Sequence, residues 1–399
     1  MSSIRSAGTV QGIVLILPIT LTVMGAVLLA PIMPKLMVAF GHISGAKYLV
    51  PMLISLPALC IAVGAPFAGW LADRLGRRRL LIGSITIYAA FGIAPLFLNS
   101  YWPIFVSRVG VGICEAILIT CSTTLIGDYF SGAQRDKWLG SQAALASLSS
   151  LLLFPIAGFL GATFGWKGPF AIYSVALLMV VGVILFTWEI ATDTQAERGA
   201  EPASARADSG TEFPWLYMLR VCSFTLIGGM LFYVLPFQLS SALQLFAVDD
   251  PAKAGVMLSI ASIGVPAGAI CYRYVNTRLS LRNLITLEFI VIAIGFLGMS
   301  QATVPEMLVT FGFINQFGAG MMLPTMLTWA VSGLNFMVRG RGTGMWQSTF
   351  AVGQFISTLA FSLVLTFVGA DNFINAFVIF AMVSGVTAIG AYFTVKTSS

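Results

Sequence analysis

Charge is scarce in this sequence. Asp, Glu, Lys and Arg make up 9% of its 399 residues, while 58% are hydrophobic. A soluble domain carries roughly a quarter charged residues, so a soluble protein is excluded. With that context the excess of 21 basic over 15 acidic residues is not a nucleic-acid footprint, and no nucleic-acid partner is expected. There is one histidine, His42. It falls between the first two apolar runs, where it cannot be a helix-buried proton relay. The five cysteines (Cys60, Cys114, Cys121, Cys222 and Cys271) all sit inside apolar runs. They lack framework or ligand spacing and read as packing residues, so no disulfide scaffold and no metal site is expected. A nucleophile elbow, a metal-binding His cluster and the P-loop spacing for ATP are all missing. The chain is therefore expected to be no enzyme and to need no cofactor. Any work it does must draw on an ion gradient.

What is abundant is apolar length. Runs near the ~20 residues needed to cross a bilayer occupy about 12–35, 48–72, 79–99, 102–127, 137–161 and 168–190. After a polar gap they continue over 215–242, 252–274, 283–300, 304–330, 342–368 and 373–395. Twelve crossings put both termini on one side. Four basic residues (Lys35, Lys47, Lys167 and Lys253) fall in the segments on one face, Arg108 lies within a span, and the other sixteen lie on the opposite face. Positive charge stays inside, so that basic face, including Arg5, Arg198, Arg206 and Lys396, is expected to be cytoplasmic. The expected location is a bacterial inner membrane with both termini cytoplasmic. The first run follows Arg5 in the manner of a signal peptide, but it is too long and too well followed for one. It reads as an uncleaved helix.

The polar stretch Ala191–Thr211 divides the chain. It predicts a six-helix bundle over 1–190, a cytoplasmic linker over 191–214 and a second bundle over 215–399. An offset of 204 superimposes Gly25 on Gly229, Gly64 on Gly268, Arg74 on Arg278, Arg78 on Arg282, Arg135 on Arg339 and Gly140 on Gly344. Six coincidences at one offset that also pair equivalent loops indicate a parallel internal repeat. The copy fails at two places, where Asp73 becomes Thr277 and Gly76 becomes Ser280.

The densest charge cluster is Gly69-Trp70-Leu71-Ala72-Asp73-Arg74-Leu75-Gly76-Arg77-Arg78-Arg79. Its pattern Gly-x-x-x-Asp-Arg-x-Gly-Arg-Arg closely resembles the loop between helices 2 and 3 of the major facilitator superfamily. The resemblance implies an all-α integral membrane fold, with twelve transmembrane helices in two pseudo-symmetric six-helix bundles working by alternating access. It also implies a cytoplasmic latch built on Gly69, Asp73, Arg74, Gly76, Arg77 and Arg78, with Asp73 meeting the N-terminal end of helix 11. That helix is expected to begin near Gly342, and its dipole would attract the carboxylate by ~0.3–1 kcal/mol. Arg77 or Arg78 is expected to pair with Asp128, at the inner end of helix 4. The bland alternative is that these arginines only fix topology, which leaves Asp73 unexplained.

Arg108 and Glu115 share a face of the fourth span, seven residues apart. Charges at membrane depth are costly and face a cavity or a partner. Arg108-Val109-Gly110-Val111-Gly112-Ile113-Cys114-Glu115-Ala116 resembles the family's helix-4 motif, with an ending similar to the spinster-like and organic-anion branches. That implies coupling for Arg108, and proton or substrate handling for Glu115. A structural pair that merely holds the helix is the alternative, but ~10.5 Å of helix separates them, which favours separate roles. Glu288, one to two turns inside the ninth span, is a further coupling candidate, close enough to the inner surface to reach water.

Phe154-Pro155-Ile156-Ala157-Gly158 keeps part of the family's antiporter motif, Gly-Pro-x-x-Gly-Gly, and leans toward export. The family's cavity is lined by helices 1, 4, 7 and 10, which implies Tyr233, Asn315 and Gln316. Gln142, Trp346 and Gln347 are added candidates, although amides at this depth also serve as interhelical glue. The expected function is proton-coupled export of an amphiphilic, hydrophobic or anionic small molecule by a monomer in the lipid bilayer. The rival is uptake of an organic anion, with Arg108 as carboxylate clamp. A non-transporting receptor on the same scaffold is the alternative from another class, and sodium in place of the proton stays open.

Overall fold

A computed structural model describes residues 7–189 and 213–395, all helix, turn and short connection. The linker expected at 191–214 therefore lies outside the described residues except for Phe213 and Pro214, as do Arg5, Arg198, Arg206 and Lys396. Among the described residues eleven segments are long and apolar enough to cross a membrane. One of them, Gly132–Phe186, has 55 residues, or ~80 Å of helix, far more than a bilayer core of ~30 Å. It holds a reversal. Gly165 has φ +70°, and a 3-10 segment, Gly165–Ser174, follows it. Gly168 presses so close to the Leu160 carbonyl that a Cβ would stand 2.2 Å from it. Two helices result, and the crossings number twelve.

In chain order they are α1 (Thr9–Val27), α2 (Ala46–Leu75), α3 (Arg77–Ile93), α4 (Tyr101–Tyr129), α5 (Gly132–Phe164) and α6 (Val175–Phe186). The second set is α7 (Trp215–Gln244), α8 (Pro251–Val275), α9 (Leu281–Ser300), α10 (Pro305–Ser332), α11 (Phe336–Val368) and α12 (Ala376–Thr394). Pro18 interrupts α1, because it has no N–H to continue the ladder. α11 starts at Phe336, six residues ahead of the expected Gly342.

The repeat seen at offset 204 is a repeat of packing. α1 lies on α5 as α7 lies on α11. The pairs α2–α4, α3–α4 and α3–α6 recur as α8–α10, α9–α10 and α9–α12. Only two helix pairs join the bundles extensively, α2 with α11 and α5 with α8. Their hydrogen bonds sit toward the end opposite Gly76. Tyr48 and Thr366 share a hydroxyl–hydroxyl bond of 2.8 Å, Ser55 and Thr358 one of 2.7 Å, and the Ser259 hydroxyl donates to the Leu151 carbonyl at 2.7 Å. At Gly158 and Gly255 the backbones touch. A Cβ on Gly158 would stand 2.2 Å from the Pro251 carbonyl oxygen, and one on Gly255 would stand 2.4 Å from that of Phe154. Small residues at such crossings are what tight packing in lipid requires. Toward the Gly76 end no hydrogen bond or ion pair joins the bundles among the described residues. A Cβ added to Gly69, Gly140, Gly340 or Gly344 meets nothing within 4 Å.

Candidate functional site

Between the bundles lies a cavity of about 290 Å³. Nine side chains with polar or ionisable atoms define its chemistry: Glu115 and Tyr233, the hydroxyls of Thr22, Ser147, Ser150 and Ser262, and the amides of Gln316, Gln347 and Gln354. The rest of the wall is mostly apolar and aromatic, with Ile61, Phe154, Phe232, Leu323 and Phe350. No Lys or Arg lines it.

Glu115 brings the only carboxylate to this wall. It is 1% exposed, and among the described residues its Oε1 has no hydrogen-bond partner. Its place is made by Gly25 on α1, where an added Cβ would stand 2.1 Å from that Oε1. A buried carboxylate without a partner is costly as an anion, and holding a proton relieves the cost.

Arg108 takes a different position. Its guanidinium is fully buried behind the cavity wall. Nε donates to the Leu53 carbonyl at 3.1 Å, Nη1 to the Tyr173 hydroxyl at 2.6 Å and Nη2 to the Gly25 carbonyl at 2.7 Å. The side chain thus ties α4 to α2, to α1 and to the 3-10 segment that leads into α6. The Tyr88 hydroxyl donates to the Leu21 carbonyl next to it. No ion pair joins Arg108 to Glu115 among the described residues. Gly25 links them instead, accepting from the arginine through its carbonyl and yielding space to the glutamate.

The remaining candidates divide. Tyr233, Gln316 and Gln347 line the cavity, with Gln316 donating to the Phe232 carbonyl at 3.2 Å. Asn315 turns away and donates to the Ile292 carbonyl on α9 at 3.1 Å. Gln142 joins α5 to α4 through Ser122 and Thr123, both at 3.2 Å. Trp346 stacks on Phe350 from outside the lining. Glu288 does not reach water. It is fully buried on α9, accepts from the Thr325 hydroxyl at 2.5 Å, and lies off the cavity. Sequence reasoning missed Phe350, Ala351 and Gln354, although their spacing from Gln347 (i+3, i+4, i+7) marks one face of α11.

At the Gly76 end, Arg77 takes Asp128 at 2.6 Å and Asp73 at 3.2 Å. The Asp128 pair joins α3 to α4 inside one bundle, so it does not span the bundles as a latch would. Arg78 is occupied elsewhere, donating to Thr187 at 3.0 Å and to the Ile184 carbonyl at 2.9 Å. The Glu189 carboxylate accepts from the backbone N–H of Arg78 and of Arg79, each at 3.3 Å, where the α3 dipole favours an anion. Gly76 turns the chain with φ +86°. Arg74 stacks over the Trp70 ring at 4.1 Å. Asp73 is 69% exposed, and no hydrogen bond connects it to α11 among the described residues.

Two pseudo-symmetric six-helix bundles around a central cavity define a polytopic membrane transporter. Residues 15–300 match the Major Facilitator Superfamily, and the chain belongs to that family. It is 26% identical to the "Tetracycline resistance protein, class D" of Salmonella ordonez over 359 residues, 87% of each chain. It is 28% identical to the "Tetracycline resistance protein, class B" of Escherichia coli over 188 residues. That match covers 46% of each chain, so the chain spans less than half the length of this relative. The fold is similar to the crystal structure of a D-xylose–proton symporter, with TM-score 0.82 at 14% identity over 97% of this chain and 98% of that one.

Proposed function

We propose that this transporter exports amphiphilic small molecules in exchange for protons, with Glu115 as the proton carrier. The observation that carries the reading is the buried carboxylate of Glu115, whose Oε1 has no hydrogen-bond partner among the described residues, in a cavity wall without Lys or Arg. Apolar and aromatic walls with scattered amides and hydroxyls suit a bulky amphiphile held by shape and a few hydrogen bonds. Uptake of an organic anion fits the geometry poorly, because Arg108 spends its donors on Leu53, Tyr173 and Gly25. The resistance named in the two relatives supports outward movement. The basic end is cytoplasmic by the charge asymmetry of its loops, so the unjoined ends of the bundles open the cavity inward. Alternating access then needs the bundles to rock, closing at Asp73 and opening at Gly158. A proton gradient drives the cycle without ATP or another cofactor. The protein works as a monomer in a bacterial plasma membrane.

The test is substrate-evoked pH change in proteoliposomes, using a panel of amphiphilic drugs and organic acids, for the wild type and Glu115→Gln. Proton movement evoked by an amphiphile and lost in the variant is expected. Unchanged proton movement in Glu115→Gln overturns the assignment, and binding without flux identifies a receptor.

A further inference from the structure

A second concavity lies on the outer surface of the first bundle. α2 and α3 both pack along α4, but they touch each other little beyond the turn at Gly76. Between them α4 is left as the floor of an open groove of about 770 Å³, larger than the central cavity. Its lining is apolar except for Arg79 and Ser84, and several members are half-exposed or more, Val106 at 60% among them. Gly83 widens the groove, since a Cβ there meets nothing within 4 Å. Phe91 closes the far end by laying its ring where a side chain of Gly110 would stand.

The dimensions and the charge identify an occupant. Along α3 the groove runs from Arg79 to Phe91, ~18 Å at 1.5 Å per residue. Half of a ~30 Å hydrocarbon core is ~15 Å. The groove therefore begins at the headgroup level of the leaflet on the basic side and ends near the bilayer midplane. Arg79 stands at its entrance. Its guanidinium has no hydrogen-bond, ion-pair or ring partner among the described residues, whereas Arg74, Arg77 and Arg78 are each engaged. An apolar slot one leaflet deep, with a free cation at its polar end, matches one acyl chain below a phosphate.

We propose that this groove is a binding site for an anionic phospholipid of the leaflet at the basic end, with one acyl chain on α4 and the headgroup on Arg79. The site is separate from the substrate cavity. Glu115 faces the cavity from α4, and its neighbour Cys114 faces the groove.

The test is native mass spectrometry of the detergent-purified full chain with dioleoylphosphatidylglycerol and dioleoylphosphatidylcholine, on variants first shown by thermal melting to be folded. The wild type should retain one phosphatidylglycerol several-fold more strongly than phosphatidylcholine. Arg79→Gln should abolish that preference. Gly83→Leu, which fills the slot, should remove tight binding of both lipids, and Arg278→Gln in the second bundle should change nothing. No preference in the wild type overturns the proposal, as does a preference that survives Arg79→Gln or one lost equally in Arg278→Gln. Gly83→Leu binding both lipids as tightly as wild type also overturns the proposal. Should Gly83→Leu fail to fold, Arg79→Gln still decides.

Discussion

The carboxylate of Glu115 occupies the space that a side chain at Gly25 would fill. A Cβ built on Gly25 stands 2.1 Å from Oε1 and 2.9 Å from Oε2, so even a methyl group would displace the acid from its seat. Gly25→Ala is therefore expected to lower substrate-evoked proton movement by about tenfold, the factor that ~1.4 kcal/mol corresponds to. Shortening the acid should partly restore it. The Gly25→Ala/Glu115→Asp pair is predicted to outperform Gly25→Ala alone in the proteoliposome pH assay. A double variant no better than the single one would show that Gly25 serves only backbone packing.

Arg108 predicts a different phenotype. Its three hydrogen bonds connect α1, α2 and the 3-10 segment before α6 to α4. Interhelical bonds in membrane proteins contribute ~0.6 kcal/mol on average and at most ~1.7, so three come to roughly 2–5 kcal/mol. Arg108→Gln should then lower the melting temperature in detergent by several degrees, while Glu115→Gln leaves it unchanged or raised. A clamp for a substrate carboxylate would behave in reverse. Arg108→Gln would melt normally and lose only substrate affinity.

Much of this arrangement was legible in the sequence, and its failures share a cause. The twelve crossings and the internal repeat follow from apolar length and from the spacing of Arg74 and Arg278, features that any arrangement of the helices preserves. Glu115 followed from the cost of burying charge. The amides were harder. In water a polar face points outward, but lipid is as apolar as a helix interface, so the sequence does not say which way Asn315 or Gln142 turns. Asn315 and Gln316 are neighbours about 100° apart around α10, and only the second lines the cavity. From sequence alone Arg108 offers itself as a holder of an anionic group or a tuner of a neighbouring acid, because sequence displays charged partners and hides carbonyl oxygens. Two of its three acceptors are main-chain carbonyls.

Glu288 is the second buried acid, and its surroundings predict that it is dispensable for coupling. It lies off the cavity wall and already holds the Thr325 hydroxyl. A glutamine there keeps the shape and can accept from Thr325 through its carbonyl oxygen. Glu288→Gln is expected to retain proton movement within about twofold of wild type, a difference of ~0.4 kcal/mol, under conditions where Glu115→Gln abolishes it. The opposite pair of results would relocate the proton site to the second bundle.

Closure at the end opposite Gly76 depends on the backbones of α5 and α8 touching at Gly158 and Gly255, with the Pro251 carbonyl 2.2 Å from where a Cβ of Gly158 would stand. Gly158→Val should wedge this contact apart and drive the bundles toward the state closed at the basic end. Asp73→Asn is predicted to act the other way, since it removes a carboxylate that stands exposed here, held only by Arg77 of its own bundle at 3.2 Å among the described residues, and that is proposed to engage α11 when that end closes. Spin labels at Gly140→Cys on α5 and Gly344→Cys on α11, two positions facing open space in different bundles, report the separation directly. Gly158→Val should shorten the mean distance, and Asp73→Asn should deplete the short-distance population that substrate and proton cycling produce in the parent. A ligand-independent distance distribution identical in all three proteins would mean that neither contact controls the rocking. The asymmetry of the repeat gives a reason to expect otherwise. Thr277 stands where a second copy of Asp73 would be, so the repeat offers no acid at the matching position to take over from Asp73.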